Sequence, residues 1–127
     1  MRRILVAVLG AILLLAGCSG ATSTTSNAQS TVGSSGLPTV ALTDLPPQAQ
    51  QTYELVEAGG PFAYRQDGQV FGNRERLLPP QEYGWYREYT IPTPGSPDRG
   101  AARFVVGEDE TFFYTDDHYA SFSEVIV

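Results

Sequence analysis

The sequence contains no lysine, a single cysteine, Cys18, and a single histidine, His118. A lone cysteine excludes an internal disulfide, so the folded part of the chain must be held together by packing alone. With so few nitrogen and sulfur ligands, a zinc site is excluded as well. The acidic stretches at 108–110 and 116–117 lack the spacing of an EF-hand, and turns explain them better than a calcium site. We therefore expect neither a metal nor an organic cofactor.

Positive charge is scarce, because eight basic residues stand against fourteen acids. Arg2 and Arg3 lie at the extreme N-terminus, and without them the remaining charge is 6 − 14 = −8 with the histidine neutral. Affinity for nucleic acid comes largely from phosphates neutralised by lysine and arginine, so this balance disfavours a broad nucleic-acid surface. A polyanionic substrate would need a local cluster of arginines that works against an unfavourable overall field.

The one long apolar run, Ile4–Ala16, follows these two N-terminal arginines. The run is shorter than the roughly 20 apolar residues of a comfortable membrane span, and its charged start is typical of a signal peptide. Its end, Leu15-Ala16-Gly17-Cys18, resembles the lipobox at which bacterial lipoproteins are cleaved and acylated on the new N-terminal cysteine. We expect a lipoprotein signal peptide over 1–17 and a lipid on Cys18. An ordinary signal peptide with an incidental cysteine is the alternative.

After this cysteine, the segment 18–36 consists almost entirely of Ser, Thr, Gly, Ala, Asn and Gln. Such a composition buries too little apolar surface to offset ordering entropy, so we predict a flexible tether. Residues 37–127 then form one domain, of a size that supports a single modest core. These features together predict an exported, extracytoplasmic monomer that its lipid anchors to the cell membrane.

Helical spacing occurs once in the domain, between Pro46-Pro47 and Gly59-Gly60. Proline is tolerated in the first turn of a helix, and glycine commonly ends one. The later apolar runs have the length and composition of strands, with turn residues between them. This order predicts an α+β domain in which one N-terminal helix packs on an antiparallel β-sheet. The expected strands are 70–71, 84–91, 102–106, 111–114 and 119–127.

Strand alternation divides the side chains of these runs between two faces of the sheet. Glu88 and Arg103 are expected on the same open face, where a cross-strand ion pair would by itself explain them. The opposite face suits the helix except for its arginine, which we expect to reach solvent near a strand edge. The residues predicted on that second face are Trp85, Arg87, Tyr89 and Ile91.

A series of short blocks follows in one order between about Leu42 and Phe122. Together these blocks resemble the small secreted bacterial guanyl-specific ribonucleases related to barnase, and in particular their short actinobacterial-type branch. The resemblance implies the microbial ribonuclease fold and metal-independent cleavage of single-stranded RNA after guanine. The blocks are Leu45-Pro46-Pro47, Gly60-Pro61-Phe62, Gln66-Asp67-Gly68, Val70-Phe71, Asn73-Arg74-Glu75, Leu78-Pro79, Tyr83-Gly84, Glu88-Tyr89-Thr90, Thr93-Pro94-Gly95, Arg99-Gly100, Arg103 and Asp117-His118-Tyr119-Ala120.

The resemblance implies a catalytic set of Glu88, Arg99, Arg103 and His118. Cleaving RNA without a metal needs a base that takes the proton of the 2′-OH and an acid that protonates the departing 5′-oxygen. Near neutral pH a glutamate is usually ionised and a histidine partly protonated, so Glu88 fits the base and His118 the acid. Guanidinium groups match the geometry of the phosphoryl oxygens and hold their charge. The expected product is a 2′,3′-cyclic phosphate, which water then opens to the 3′-phosphate.

A guanine-binding segment, Phe71 to Glu75, is also implied by the resemblance, with Tyr119 beside it. Guanine presents two adjacent donors, N1–H and N2–H, and the Glu75 carboxylate can accept both. The backbone N–H groups of Gly72, Asn73 and Arg74 are expected to meet the acceptors O6 and N7. Phe71 and Tyr119 are expected to sandwich the base, and stacking of this kind contributes on the order of 1–3 kcal/mol per base.

Taken singly, these residues have ordinary explanations. A lone histidine ahead of a strand is usually a surface residue, and Asn73-Arg74-Glu75 would be a polar turn. Phe71 and Tyr119 would be core aromatics, and the arginines solvated charges. The specificity of the interpretation therefore comes from the blocks in register and from no single residue.

The chain also departs from the family. Relatives usually carry a disulfide between the first strand and the C-terminus, whereas the early position is Ala41 here and no terminal cysteine follows. Loss of such a bridge predicts a stability lower by about 2–5 kcal/mol. Gly72 stands where relatives often have a bulkier residue, and Ala102 where they have an arginine. These changes concern affinity more than mechanism.

Three functions remain open at this point. The protein is an anchored ribonuclease for scavenging or defence, or an exported toxin of the same chemistry with a barstar-like inhibitor in the producing cell, or a lipoprotein that keeps the fold and only binds nucleotides. The presence of all four catalytic side chains disfavours the third. The first two share one chemistry, with single-stranded RNA as the substrate.

Overall fold

The computed structural model of the protein describes Gly17 and residues 31–127. The rest of the predicted signal peptide, the lipidation site Cys18 and the predicted tether as far as residue 30 lie outside the described residues. Within the described part of the chain, no helix is both long and apolar enough to cross a membrane.

In residues 31–127 one α-helix forms, α1, which spans Pro47–Ala58 as the spacing predicted. A proline occupies its first position, where the missing N–H would have had no intrahelical partner. Gly59 ends the helix in the left-handed conformation with φ 80°, which a residue without a Cβ adopts at little cost. Ala49 and Thr52 are buried on the face of the helix that meets the sheet.

The sheet has six strands in the spatial order β1-β6-β5-β4-β3-β2. Neighbouring strands from β2 to β6 run antiparallel, which confirms the predicted α+β class. The first strand was not among those expected, and it pairs parallel to β6 with Val40 opposite Val125. The strands are β1 (Thr39–Ala41), β2 (Val70–Phe71), β3 (Tyr86–Thr90), β4 (Arg103–Gly107), β5 (Phe112–Thr115) and β6 (Ser123–Ile126).

A separate hydrophobic core lies on each face of the sheet. The helix-side core contains Ala49 of α1 together with Ile91, Phe104, Val106 and Phe112. The predicted alternation is therefore confirmed for Ile91 and its partners. The cleft-side core lies on the opposite face, which the sequence treated as open and which loops partly cover. Its buried members are Leu78, Tyr86, Val105, Phe113 and Phe122.

Two predictions on strand β3 need correction or completion. Trp85 precedes the strand and packs against the cleft-side core, not on the helix face, because strand alternation does not extend to the residue before Tyr86. Arg87 is exposed, and its Nη1 donates to the Gly68 carbonyl at 3.1 Å. The expected exit of this arginine to solvent is thus accompanied by a hydrogen bond across the edge of the sheet.

The segment 31–36 is not the flexible tether that its composition predicted. It forms a turn in which the Thr39 N–H donates to the Thr31 carbonyl at 2.9 Å. The carboxylate of Glu124 on β6 closes the turn, because it accepts from the Ser34 hydroxyl at 3.1 Å and from the Ser35 N–H at 2.9 Å. These long-range hydrogen bonds offset the ordering entropy that apolar burial cannot offset here. We call this contact the Glu124 latch.

Candidate active site

A cleft of about 350 Å³ opens between the loop that follows β2 and the loop that precedes β6. Phe71 at the end of β2 and the first loop together supply the predicted guanine-binding segment, and the second loop supplies two of the predicted site residues. The cleft is lined by Val70, Phe71, Gly72, Asn73, Arg74, Glu75, Leu77, Tyr83, His118, Tyr119 and Phe122. Seven of these residues were predicted as site residues from the sequence, whereas Val70, Leu77, Tyr83 and Phe122 were not.

The loop after β2 carries most of the predicted guanine-binding segment, and we call it the guanine loop. It is held in shape by the side chain of Asn73. Its Oδ1 accepts from the Leu78 N–H at 3.1 Å, and its Nδ2 donates to the Leu78 carbonyl at 3.0 Å. Asn73 has a φ of 48°, a left-handed conformation that asparagine tolerates better than most residues. Because the Asn73 side chain is bonded to its own loop, a contact of this residue with a base would have to come from its backbone N–H.

Glu88 lies on β3 on the cleft side of the sheet, where its register partner on β4 is Val105. Only 15% of its side chain is exposed, and both carboxylate oxygens are engaged. Arg99 Nη1 lies 3.5 Å from Oε1, and the Tyr119 hydroxyl donates a short hydrogen bond to Oε2. The carboxylate is thus held by two groups from different loops and fixed in position.

Arg103 is opposite Thr90 in the β3–β4 register and therefore shares the cleft-side face with Glu88. The prediction of a shared face is confirmed, but the face is not open at this point, because Arg103 is only 2% exposed. Its Nη1 donates to the Ala102 carbonyl at 2.7 Å, while Nε is buried without a hydrogen-bond partner in the described chain. A buried guanidinium with unused donors favours a bound anion.

Arg99 lies on the loop between β3 and β4, and Asp98 shapes that loop. The Asp98 carboxylate accepts from the Gly100 N–H and the Ser96 hydroxyl, each at 2.8 Å. These hydrogen bonds, that from Gly100 first, lower the pKa of Asp98 below its usual value. A Cβ at Gly100 would collide with the Thr93 side chain, so this turn requires glycine. The loop can therefore present Arg99 toward Glu88.

His118 and Tyr119 lie on a loop that Asp117 braces. The Asp117 carboxylate accepts from the Ser121 hydroxyl at 2.5 Å, the Ser121 N–H at 2.9 Å and the Thr115 hydroxyl at 2.8 Å. Hydrogen bonds from Ser121 and Thr115 lower the pKa of Asp117 to about 2. His118 and Tyr119 have φ values of 57° and 70°, which are unfavourable for bulky residues and need such support. This role of Asp117 was not predicted from the sequence.

The loop also brings His118 to the start of β4, because the His118 N–H donates to the Ala101 carbonyl at 3.2 Å. The His118 side chain is exposed and lines the cleft. Its ring centroid lies 5.2 Å from that of Tyr119, whose hydroxyl contacts Glu88. Tyr119 thus contacts Glu88 and His118, Arg99 lies beside Glu88, and Arg103 shares the sheet face with Glu88. Of the four predicted catalytic residues, only His118 lines the cleft.

The predicted sandwich of Phe71, a base and Tyr119 does not fit the cleft as it stands. The two ring centroids are 5.0 Å apart, which is direct aromatic contact. A base between them would need about 7 Å, twice the contact distance between carbon atoms. At least one of the two rings must therefore move before a base can lie between them. Burial, with a smaller contribution from Glu88, raises the pKa of Tyr119 to about 12, so its hydroxyl remains a donor in the closed cleft.

This geometry can perform general acid–base chemistry on a phosphodiester. It combines a fixed carboxylate, an exposed imidazole and two guanidinium groups beside a cleft with the lining and size for a planar base. Among the described residues, no group of three or more His, Cys, Asp or Glu side chains is arranged to hold a metal ion.

Comparison with known proteins agrees with this arrangement. A family model described as ribonuclease matches residues 26–126. The chain belongs to the ribonuclease family. It is 57% identical over 93 residues to the guanyl-specific ribonuclease St of Saccharopolyspora erythraea, a match that covers 73% of this chain and 92% of the relative. It is 54% identical over 86 residues to the guanyl-specific ribonuclease Sa of Kitasatospora aureofaciens, which covers 67% and 90%.

Solved structures of ribonuclease Sa2 share the fold of this ribonuclease. The crystal structure of ribonuclease Sa2 with guanosine-2′-cyclophosphate has a TM-score of 0.68 and 46% identity, and covers 71% of this chain and 96% of that one. A structure of the same protein in complexes with mononucleotides has a TM-score of 0.71 at 46% identity, and covers 72% and 95%. The family resemblance and the fold predicted from the sequence are therefore confirmed.

Proposed function

We propose that this protein is a guanyl-specific endoribonuclease that cuts single-stranded RNA on the 3′ side of guanine without a metal. The observation that carries the proposal is that the guanine loop and the Glu88 carboxylate meet through one residue, Tyr119. Similarity to ribonucleases named guanyl-specific, and to a structure holding a guanosine cyclic phosphate, supports it.

The first step needs Glu88 as the general base. Its carboxylate takes the proton of the ribose 2′-OH while the 2′-oxygen attacks phosphorus and the bond from phosphorus to the 5′-oxygen breaks. In the free protein one Glu88 oxygen accepts from Tyr119 and the other faces Arg99. Release of the Tyr119 hydroxyl frees one Glu88 oxygen for the 2′-OH. We therefore propose that guanine binding and the activation of Glu88 as general base occur together.

His118 is the proposed general acid, which gives its proton to the departing 5′-oxygen. In the second step the roles reverse. Water attacks the cyclic phosphate while His118 takes a proton from that water, and Glu88 returns a proton to the 2′-oxygen as its bond to phosphorus breaks. Arg103 and Arg99 hold the charge on the phosphoryl oxygens throughout. The unused Nε donor of Arg103 supports this role, since an incoming phosphate would satisfy it.

Guanine recognition is proposed to depend on Glu75, which is exposed and lines the cleft. Its carboxylate accepts from N1–H and N2–H of the base, a pair of donors that adenine lacks. The backbone N–H groups at 72–74 meet O6 and N7, and Phe71 supplies the stacking surface. Tyr119 either returns onto the base or leaves it covered on one side only.

The direct test offers the purified protein GpU, ApU and dGpU in excess EDTA between pH 5 and 8. Guanosine 2′,3′-cyclic phosphate should appear from GpU alone, because ApU lacks the base contacts and dGpU lacks the attacking hydroxyl. The absence of any product from GpU would overturn the enzymatic proposal in favour of a nucleotide-binding protein. Cleavage of GpU that EDTA abolishes would overturn the metal-free mechanism.

For its location, we propose that the protein is exported and anchored by a lipid on Cys18. The charged start, the apolar run and the lipobox-like Leu15-Ala16-Gly17-Cys18 support this. Mass spectrometry of the membrane fraction should find a mature chain that begins with an acylated Cys18. A Cys18→Ser variant should then be found in the medium. A wild-type chain released into the medium with an unmodified Cys18 would contradict the anchor.

The same chemistry also suits an exported toxin, with a barstar-like inhibitor as partner in the producing cell. Scavenging or defence is our first choice, because it needs no second protein. A protein from the producing cell that blocks GpU cleavage at equimolar concentration would favour the toxin.

A further inference from the structure

Arg74 is a cation at the cleft with no partner among the described residues. It is exposed and lines the cleft, and no carboxylate of residues 31–127 lies within 4.0 Å of its guanidinium. The proposed guanine contact uses only its backbone N–H. In a mature chain with six arginines and a net charge of 6 − 14 = −8, a guanidinium that lines the cleft and forms no ion pair with residues 31–127, not even with the adjacent Glu75, stands out.

The position of the Arg74 side chain depends on Gly72. The chain folds back over that glycine, so that a Cβ on residue 72 would lie 3.5 Å from Cγ and 3.7 Å from Nε of Arg74. A single methyl group would just fit, whereas a longer side chain would occupy the space that the arginine fills. Gly72 therefore leaves room for the Arg74 side chain, and both residues line the cleft together with Phe71.

We infer that the Arg74 side chain forms a second phosphate subsite, which binds the phosphate on the 5′ side of the guanosine. This inference rests on the proposed cleavage after guanine. The scissile phosphate lies on the 3′ side of the guanosine and is assigned to Arg99 and Arg103 beside Glu88, none of which lines the cleft. Arg74 lines the cleft on the loop that is assigned to the base, so we assign a different phosphate to it. In an RNA chain, the phosphate directly attached to the guanosine on its other side is the 5′ one.

Two substrates that differ only in this phosphate test the inference. The purified protein is assayed for kcat/KM with GpU and with pGpU at pH 7.5, where the added phosphate carries close to two charges. We expect pGpU to be the better substrate by about threefold, the range of an exposed ion pair. The advantage should decline with added salt, with a slope about 0.7 shallower in Arg74→Gln than in wild type.

Three variants refine the test. Each is judged by its own ratio of kcat/KM for pGpU to kcat/KM for GpU, so that effects common to both substrates cancel. Arg74→Gln should bring the ratio to about one. Gly72→Gln should do the same although the arginine is still present, because the longer side chain displaces it. Arg87→Gln removes an equal charge from an exposed arginine bonded to Gly68 outside the cleft, and it should keep the wild-type ratio.

A ratio of one in the wild-type protein, or an unchanged ratio in Arg74→Gln, would overturn the inference while cleavage of GpU upheld the proposed function. Failure of the wild-type protein to cut GpU at all would instead overturn the proposed function. A third substrate, GpUp, distinguishes the two sides of the guanosine. If Arg74→Gln reduced a preference for GpUp and left that for pGpU intact, the phosphate bound by Arg74 would lie on the 3′ side, which contradicts the assignment.

Discussion

The β1–β6 edge of the sheet and the cleft differ in what their residues do in this ribonuclease. At the β1–β6 edge, short parallel pairing and the Glu124 latch fix the N-terminal segment to the last strand. At the cleft, the loop after β2 and the loop between β5 and β6 carry the exposed and strained residues. Five non-glycine residues of the described chain have a left-handed backbone, and all but Glu110 belong to the two loops that line the cleft, namely Asn73, Arg76, His118 and Tyr119.

The cleft and the β1–β6 edge therefore use the free energy of folding differently. Each left-handed residue costs on the order of 1–3 kcal/mol, which surrounding contacts must offset. Asn73 and Asp117 provide such contacts at the cleft through hydrogen bonds to their own loops. At the β1–β6 edge, none of the described non-glycine residues has a left-handed backbone, and the interactions there only hold the chain together. We therefore expect substitutions at the cleft to change catalysis and those at the latch to change stability.

The largest expected effect is on the acid and the base. Glu88→Gln and His118→Ala should each reduce kcat for GpU by about 10²–10⁴-fold, the usual contribution of a positioned proton donor or acceptor. Thermal unfolding should change little, because neither residue belongs to a core. A variant that lost activity only because less of it was folded would contradict the expected difference between the cleft and the β1–β6 edge.

The next effect concerns base selection by Glu75. Glu75→Gln should reduce the preference for GpU over ApU by about 100-fold, since two charge-assisted hydrogen bonds of about 1.5–3 kcal/mol each become weaker or are lost. Glu82→Gln is the matched control, because Glu82 is an exposed acid nearby that does not line the cleft. Equal loss of rate on every dinucleotide in Glu75→Gln would contradict its assignment to the base.

A smaller effect is expected from the brace of the catalytic loop. Asp117→Ala should reduce kcat for GpU by about tenfold through misplacement of His118. The neighbouring Asp116→Ala serves as control, since Asp116 accepts none of the hydrogen bonds that hold this loop. Because the pKa of Asp117 is about 2, the brace should stay ionised, and kcat should not fall on its account, at any pH above about 3. Equal kcat in the two alanine variants would remove Asp117 from the catalytic machinery.

The Glu124 latch should affect stability and not rate. Burial alone would raise the pKa of Glu124, but hydrogen bonds from Ser35 and Ser34 lower it below the usual 4.5. A folded pKa below the unfolded value means that the latch stabilises the protein fully above pH 4.5. This contribution is lost as the pH falls through the folded pKa.

Denaturant titrations between pH 2 and 7 should show this acid loss in wild type and a smaller one in Glu124→Gln. At pH 7 the variant should be less stable by about 1–3 kcal/mol, the value of hydrogen bonds to a charged group. Glu108→Gln, an exposed acid on the β4–β5 turn, is the control. Parallel pH profiles for Glu124→Gln and wild type would show that the latch contributes nothing.

The smallest effect is expected for Tyr119→Phe, which keeps the ring and removes the hydroxyl bonded to Glu88. We expect kcat/KM for GpU to change by no more than about fivefold, because one ordinary hydrogen bond of about 1 kcal/mol is lost from the closed form. Ultraviolet titration should lose the tyrosine that ionises at about 12, whereas Tyr64→Phe should leave it in place. A loss of activity as large as in Glu88→Gln would make Tyr119 part of the chemistry itself.

Much of the fold followed from local patterns in the sequence. The helix was predicted to lie between prolines and a glycine pair, and Pro47–Ala58 confirms it. Alternation assigned Glu88 and Arg103 to one face correctly, because that period depends only on the backbone of each strand. It was wrong for Trp85, which lies before the strand begins. Strand β1 was missed because its only strand partner, β6, lies at the other end of the described chain, and no local turn joins the two.

The family blocks in the sequence were enough to predict seven of the residues that line the cleft. The burial of Arg103, the contact between Phe71 and Tyr119 and the attachment of 31–36 to Glu124 could not be predicted and are seen only in the folded protein. The cause is distance along the chain: Tyr119 and Glu88 are 31 residues apart and Ser34 and Glu124 are 90 apart. No local pattern reports such contacts, because they form only when the strands between them have paired.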